Sequence, residues 1–158
     1  MAKASDANTL KIGRVAFPVS KATFRYVIDA GDGEPGWEFE IRTKPLDSLT
    51  LKSPLYRKAP RFYAEGDPVP LKNLPDLTGI ELNLPEPFDE ESGEPYFTLY
   101  VHEHGDLADL SLKFLEKKDS KYRIRIRATI PEGEVFSVDT KLSIDTWIEQ
   151  LRATRYKG

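Results

Sequence analysis

The sequence predicts a mainly β protein: an antiparallel sandwich or strongly curved sheet of six to nine short strands, with one C-terminal α-helix. Three stretches carry this prediction, because apolar and polar residues alternate at almost every step through residues 96–102, 110–114 and 122–130. Such alternation is typical of strands with one buried and one solvated face. An α+β roll, with the helix lying across one face of the sheet, is the alternative.

A hairpin is predicted near the N-terminus, after a first strand within residues 10–17. In residues 22–29 and again in 37–41, apolar side chains recur at every second position. The connecting residues 30–36 are rich in glycine, which adopts turn conformations at little steric cost. Two alternating runs joined by such a turn indicate a pair of antiparallel strands.

The middle of the chain is rich in proline, since nine of the 12 prolines lie in residues 45–95. Proline fixes φ and lacks a backbone donor, so only short strands are expected there, at 48–52 and 78–84. An exposed tip is expected at 89–94. Apolar side chains predict that the segment packs across the domain; these are Leu71, Leu74, Leu77 and Phe88.

The C-terminal third predicts a three-stranded meander, whose strands are 110–114, 122–130 and 135–139. A helix is expected to follow, because Ser143 is a suitable N-cap and Asp145 would lie in the first turn, where the helix dipole favours an anion. The spacing i, i+3, i+4, i+7 predicts one apolar stripe on this helix. Its members are Ile144, Trp147, Ile148 and Leu151.

Length and composition predict a single domain. With 158 residues, of which 39% are hydrophobic, the chain can form a core. We expect a disordered tail over 1–8 and one β-rich domain over 9–158, with a Pro-rich acidic segment at 45–95. The absence of cysteine excludes disulfides, thiolate zinc sites and a cysteine nucleophile. No apolar run has the length of a signal or membrane-spanning segment, so we expect a soluble, cytoplasmic protein.

Charge is segregated along the chain. Residues 64–104 contain one lysine and ten acidic residues, whereas residues 1–63 (11 basic, 7 acidic) and 105–158 (11 basic, 9 acidic) carry +4 and +2. An acidic middle repels nucleic acid and attracts a basic partner. Candidate partner-binding residues are therefore Asp89, Glu90 and Glu91, although an exposed acidic loop is also what plain solvation produces.

His102 and His104 are the candidate metal ligands. If they lie on one strand, their side chains share a face with Cα atoms about 6.5–7 Å apart, a spacing at which two imidazoles can hold one divalent cation. A His-x-His pair on a strand partly resembles the first motif of the cupins, which bind metal inside a β-barrel. Asp109 stands where that motif has Glu, and the sequence has no third histidine. Two ordinary histidines at a strand end are the alternative.

Arg123, Arg125 and Arg127 form a basic row on one face of their predicted strand. Such a row could bind phosphates or a carboxylate-rich ligand. A sequence pI of about 5.5 and the lack of a nucleic-acid-binding motif weigh against nucleic acid. The row could instead pair across the sheet with Glu38 and Glu40.

Tyr96 and Tyr100 share the polar face of their predicted strand, opposite a face made of Phe97, Leu99 and Val101. An aromatic face can bind a small ligand, and it can equally be covered by a neighbouring segment. The Pro-rich segment is the candidate cover.

Three functions follow from these observations. The first is a non-enzymatic module that binds a protein partner through its acidic Pro-rich surface. The second is a β domain that binds a small ligand through Tyr96, Tyr100 and arginines. The third is a metal-dependent enzyme built around His102 and His104, and otherwise no cofactor is expected. The sequence has no nucleophile elbow, no Walker loop and no dinucleotide fingerprint, which favours the non-enzymatic module.

Overall fold

The computed structural model describes residues 8–29, 34–46, 58–101, 103–133 and 135–155. Within them, ten strands form one sheet that is strongly curled into a half-barrel, so the prediction of a mainly β, strongly curved antiparallel sheet is confirmed. The strands are β1 (Thr9–Ile12), β2 (Val15–Val27), β3 (Gly36–Thr43), β4 (Arg61–Asp67), β5 (Glu81–Leu84), β6 (Thr98–Val101), β7 (Glu103–Gly105), β8 (Ala108–Lys118), β9 (Lys121–Ile130) and β10 (Thr140–Gln150).

The strand order in the sheet is β5-β8-β9-β10-β1-β2-β3-β4-β6-β7. Neighbouring strands are antiparallel. In addition, the end of β10 pairs in parallel with β2, beyond the first residue of the short β1, which lies between them. The predicted N-terminal hairpin is present as β2 and β3, with Phe24 opposite Phe39. The turn between β8 and β9 is two residues long, and Asp119 there has a positive φ of 58°. Residues 48–52 lie outside the described residues.

The predicted C-terminal helix is wrong, because residues 140–150 form β10 along their whole length. Leu142, Ile144 and Ile148 face the core, and Thr146 occupies the inward position between Ile144 and Ile148. This polar residue interrupts the alternation of apolar and polar residues that is typical of a strand. Trp147, on the opposite face, completed a spacing that resembles a helical stripe. The β-branched and aromatic content of this segment favours a strand.

β10 also replaces the third strand of the predicted meander. Residues 135–139 lie in the connection between β9 and β10, and β10 pairs with β9 from Thr140 opposite Ile130 to Glu149 opposite Lys121. The described residues contain ten strands, more than the six to nine that the sequence predicts. No helix in the described residues has the length and apolar character needed to cross a bilayer.

The core fills the concave face of the sheet. Aromatic rings are its largest components, and Phe24 lies at their centre, 5.2 Å from Phe39 and 5.7 Å from Phe114 between ring centroids. Phe62 stacks on Phe97 at 4.9 Å. Because rings from both halves of the sheet meet, the curl of the sheet is stabilised by burial as well as by strand pairing.

Residues 68–80, here called the strap, run from β4 to β5 and so join strands near opposite ends of the sheet order. Leu71 and Leu77 are buried, and Leu74 packs partly against the core. Two buried hydrogen bonds fasten the strap: the Trp37 indole donates to the Leu71 carbonyl at 2.8 Å, and the Leu77 amide donates to the Tyr122 hydroxyl at 3.1 Å. The strap therefore packs across the domain, as the sequence predicted for Leu71, Leu74 and Leu77.

Asn8 lies where β1 begins, beside β10. Its Oδ1 accepts hydrogen bonds from the Trp147 amide at 2.9 Å, the Thr146 hydroxyl at 3.1 Å and the Arg123 guanidinium at 3.4 Å. The side chain thus satisfies the Trp147 amide of β10, which lies beyond the first pair of the β1–β10 ladder, Thr9 opposite Asp145. The rest of the predicted N-terminal tail lies outside the described residues.

Candidate functional site

Residues 85–96, in the loop between β5 and β6, are here called the acidic tip. It is a folded loop, because Phe88 forms a β-bridge with Pro95 and the Tyr96 amide donates to the Pro87 carbonyl at 3.0 Å. The Asp89 amide donates to the Glu94 carbonyl at 2.9 Å. These bonds hold the two arms of the tip together as a small hairpin.

The Asp89 side chain shapes the turn at the end of the acidic tip. Its Oδ2 accepts hydrogen bonds from the Ser92 amide at 3.1 Å and the Ser92 hydroxyl at 2.8 Å. The next residue, Gly93, has a positive φ of 74°, which glycine adopts readily. Glu90 and Glu91 stand on this turn with exposed side chains. Of the three predicted partner-binding acids, one therefore builds the turn and two project from it.

Phe88 is the apolar feature of the acidic tip. Its side chain is 43% exposed, although the sequence predicted that it would pack across the domain. With Glu86, Asp89 and Glu90 it lines a shallow cavity of about 390 Å³. The ring lies outside the core because the bridge between Phe88 and Pro95 is part of the projecting hairpin. An exposed ring among carboxylates can bind a surface that is both apolar and basic.

Two groups near the tip have raised pKa values, mainly through burial and in part through neighbouring carboxylates. Partial burial, followed by the Asp89 and Glu90 carboxylates, raises the pKa of Tyr96. Burial also raises the pKa of Asp67, at the end of β4, and Glu94 and Glu65 raise it further against the hydrogen bond from the Glu65 amide. The end of β4 therefore adds to the negative potential of the tip.

Tyr100 lies in a different cluster, on the outer face of the sheet. It stands opposite Arg61 of β4 and His104 of β7, and its ring lies 5.1 Å from the His104 ring. The Tyr63 hydroxyl and His104 Nδ1 share a hydrogen bond of 2.5 Å, and the Arg61 guanidinium lies 4.0 Å from the centre of the Tyr63 ring. Tyr63 is 8% exposed, while Tyr96 and Tyr100 are half-buried. The two predicted tyrosines therefore lie in different places, Tyr96 in the acidic tip and Tyr100 in the outer-face cluster.

The metal hypothesis rests on His102 and His104. His102 lies outside the described residues, and His104 is an exposed residue of β7. Within the ranges that the structure describes, no group of three or more histidine, aspartate or glutamate side chains is placed to hold a metal ion. The pair stays a hypothesis.

The predicted arginine row is on the outer face of β9. Arg125 and Arg127 both bind Asp145 of β10, at 3.3 and 3.2 Å, while Arg123 is 6% exposed and contacts Asn8. The suggested pairing of this row with Glu38 and Glu40 is wrong. Glu38 pairs with Arg25 at 2.8 Å, and Glu40 pairs with Arg42 and Arg61.

The arginine row is also separated from the tyrosines in the sheet. Strands β10, β1, β2, β3 and β4 lie between β9 and β6 in the sheet order. The arginine next to Tyr100 is Arg61, which the sequence analysis did not single out. Because Arg61 is separated from Tyr100 by 39 positions, only the register of β4 against β6 brings the two together.

Comparisons with protein-family models, with curated proteins and with solved structures gave no match.

Proposed function

We propose that this protein is a non-enzymatic interaction module that binds a basic protein partner through its acidic tip. The observation that supports the proposal best is Phe88, an exposed ring on a folded loop among exposed carboxylates. Aromatic side chains are the usual anchors of protein interfaces, because they bury a large area with few rotatable bonds.

The folded state of the tip favours binding. The bonds between Asp89 and Ser92, and between the Asp89 amide and the Glu94 carbonyl, order the loop before a partner arrives. A preordered loop loses less conformational entropy on association than a flexible one. The carboxylates of Glu86, Glu90 and Glu91 would steer a basic surface toward Phe88, an effect that weakens as salt is added. We propose that this binding takes place in the cytoplasm, the location expected from the sequence.

The test is capture by a photo-crosslinking amino acid placed at Glu94, using lysate of the source cells. The triple variant Glu86→Gln/Glu90→Gln/Glu91→Gln removes three charges and leaves the Asp89 turn intact. We expect the captured protein to have a basic surface, and its affinity to fall at least tenfold for this variant and about fivefold or more for Phe88→Ala.

The matched control is Glu103→Gln/Asp106→Asn/Glu132→Gln, which removes the same charge from another surface. It should bind the captured protein as the unaltered chain does. Equal affinity for the unaltered chain and both tip variants would overturn the proposal. So would an equal loss for the tip triple and the control triple, because net charge rather than the tip would then explain binding.

A further inference from the structure

A second cavity lies away from the acidic tip, between the β6–β7 hairpin and the loop that joins β9 to β10. Its volume is about 220 Å³, and it is here called the mouth pocket. Leu99, Val101 and Ile130 form its buried wall, and Val135 and Phe136 of the loop add partly buried apolar surface. The pocket is therefore lined by apolar groups at its base.

The loop over the mouth pocket is held in place. The Glu132 amide donates to Asp139 Oδ1 at 2.8 Å, and the Gly133 amide donates to the Phe136 carbonyl at 2.8 Å. Val135 and Phe136 also pack against the core. A ligand would therefore meet a wall that already exists, which lowers the entropic cost of binding.

The rim of the mouth pocket is acidic. Glu103, Asp106 and Glu132 line it with exposed carboxylates, and no lysine or arginine among the described residues does so. None of the three forms a salt bridge with a described lysine or arginine. His104 also lines the rim, and its Nδ1 is engaged by the Tyr63 hydroxyl. The rim therefore offers hydrogen-bond acceptors and negative charge to a ligand.

We propose that the mouth pocket binds a small organic cation with an apolar body, of the arylalkylammonium class. The apolar wall buries the aromatic body, and the rim carboxylates accept hydrogen bonds from the ammonium group, which stays partly solvated. A carboxylate or phosphate ligand of the same size would face three like charges. The volume limits the ligand to a size below that of drug-like molecules, whose pockets span roughly 300–1,000 Å³.

This binding does not depend on the acidic tip, so the two proposals fail separately. The test compares three probes of similar size by NMR titration of the full chain: 2-phenylethylammonium, the neutral 2-phenylethanol and the anionic 3-phenylpropionate. We expect the cation to bind at least tenfold more tightly than the alcohol and the anion not to bind. The shifted amides should include those of Val101, Ile130 and Phe136.

Two sets of variants locate the site. Glu103→Gln/Asp106→Asn/Glu132→Gln should weaken binding of the cation at least tenfold and bring it to the level of the alcohol. The tip triple Glu86→Gln/Glu90→Gln/Glu91→Gln should leave it unchanged, with unfolding curves confirming that both variants fold. Equal binding of the three probes, no shift in the wall amides, or an unaltered affinity in the rim triple would overturn the proposal.

Discussion

Glu40 Oε2 accepts a hydrogen bond of 2.6 Å from Nε of Arg61 on the adjacent strand. The other carboxylate oxygen accepts one of 2.9 Å from Arg42, and the Glu40 side chain is only 15% exposed. Burial alone would raise the pKa of Glu40, but the hydrogen bonds and charges of Arg61 and Arg42 outweigh it and lower the pKa. The same Arg61 covers the Tyr63 ring, so this carboxylate orients the outer-face cluster.

Glu40→Gln should lower the free energy of unfolding by about 1 kcal/mol at pH 7, because a charge-assisted pair is lost on a half-buried face. A lowered pKa stabilises the fold above the unfolded value of 4.5, and this stabilisation is lost as pH falls through the folded pKa. Urea denaturation at pH 7 and at acid pH should show that the difference in free energy of unfolding between the variant and the unaltered protein shrinks below pH 4.5. Glu38→Gln, which breaks the more exposed pair with Arg25, is the control and should cost less.

Asp67→Asn should stabilise the protein at pH 7 by about 0.5 kcal/mol. Burial and the nearby Glu94 and Glu65 raise the pKa of Asp67, so its ionisation costs stability as pH rises from the unfolded value of 3.8 through the folded pKa. Asparagine keeps an oxygen for the Glu65 amide, which Asp67 Oδ2 binds at 2.8 Å. Denaturation curves should show the gain at pH 7 and none below pH 3.8.

Asp76→Asn should change stability in the opposite direction to Asp67→Asn, and it serves as the comparison. Hydrogen bonds from the Thr78 hydroxyl and amide lower the pKa of Asp76, so its ionised form favours the folded state above pH 3.8. This variant should lose stability at pH 7. A gain in both variants would show that removing any negative charge stabilises the chain, and the local explanation for Asp67 would be wrong.

Gly36→Ala should destabilise the protein by about 3 kcal/mol or more. A Cβ at this position would lie 2.2 Å from the Gly66 carbonyl oxygen and 3.0 Å from that of Asp67, and both atoms are backbone that cannot rotate away. Gly105→Ala is the matched control, because among the described residues its Cβ would meet only the Leu99 carbonyl oxygen, at an ordinary 3.6 Å. Thermal unfolding should give a lower midpoint for Gly36→Ala than for Gly105→Ala. Similar midpoints would contradict the close approach of β3 and β4.

Asn8→Ala should cost about 1–2 kcal/mol, because the Trp147 amide loses its acceptor and the buried Thr146 hydroxyl loses one of its two bonds. Asn8→Asp keeps the accepting oxygen near Arg123 and should restore most of that loss. Hydrogen exchange at the Trp147 amide should accelerate in the alanine variant alone. Unchanged exchange would mean that Asn8 does not hold this part of β10.

The sequence predicted those strands in which apolar residues occupy every inward-facing position. β9 keeps an apolar residue at each inward position from Tyr122 to Ile130, and β2 and β3 meet as the alternation of their rings indicated. β10 was mistaken for a helix because Thr146 stands in the inward row and Trp147 in the outward one. Pairing with β9 and β1, which a single segment does not reveal, makes this segment a strand.

The candidate site was predicted in part, for a similar reason. Clustering of acids along the chain located the tip at 89–94, since local charge needs no tertiary structure to be visible. The exposure of Phe88 could not be predicted, because an apolar residue in a Pro-rich segment has the same local pattern whether it packs inward or stands on a hairpin. The mouth pocket joins residues from β6, β7 and the 131–139 loop, and no sequence window contains them all.

The placement of β1 between β10 and β2 has a consequence for how the chain acquires its structure. Asn8 and Trp147 are 139 positions apart, so the ribosome must release nearly the whole described chain before β1 can complete its ladder. Topologies dominated by such distant pairings fold on the order of milliseconds to seconds rather than microseconds. Until then the edge of β1 that faces β10 stays unpaired in the nascent polypeptide, where it is a natural target for chaperones.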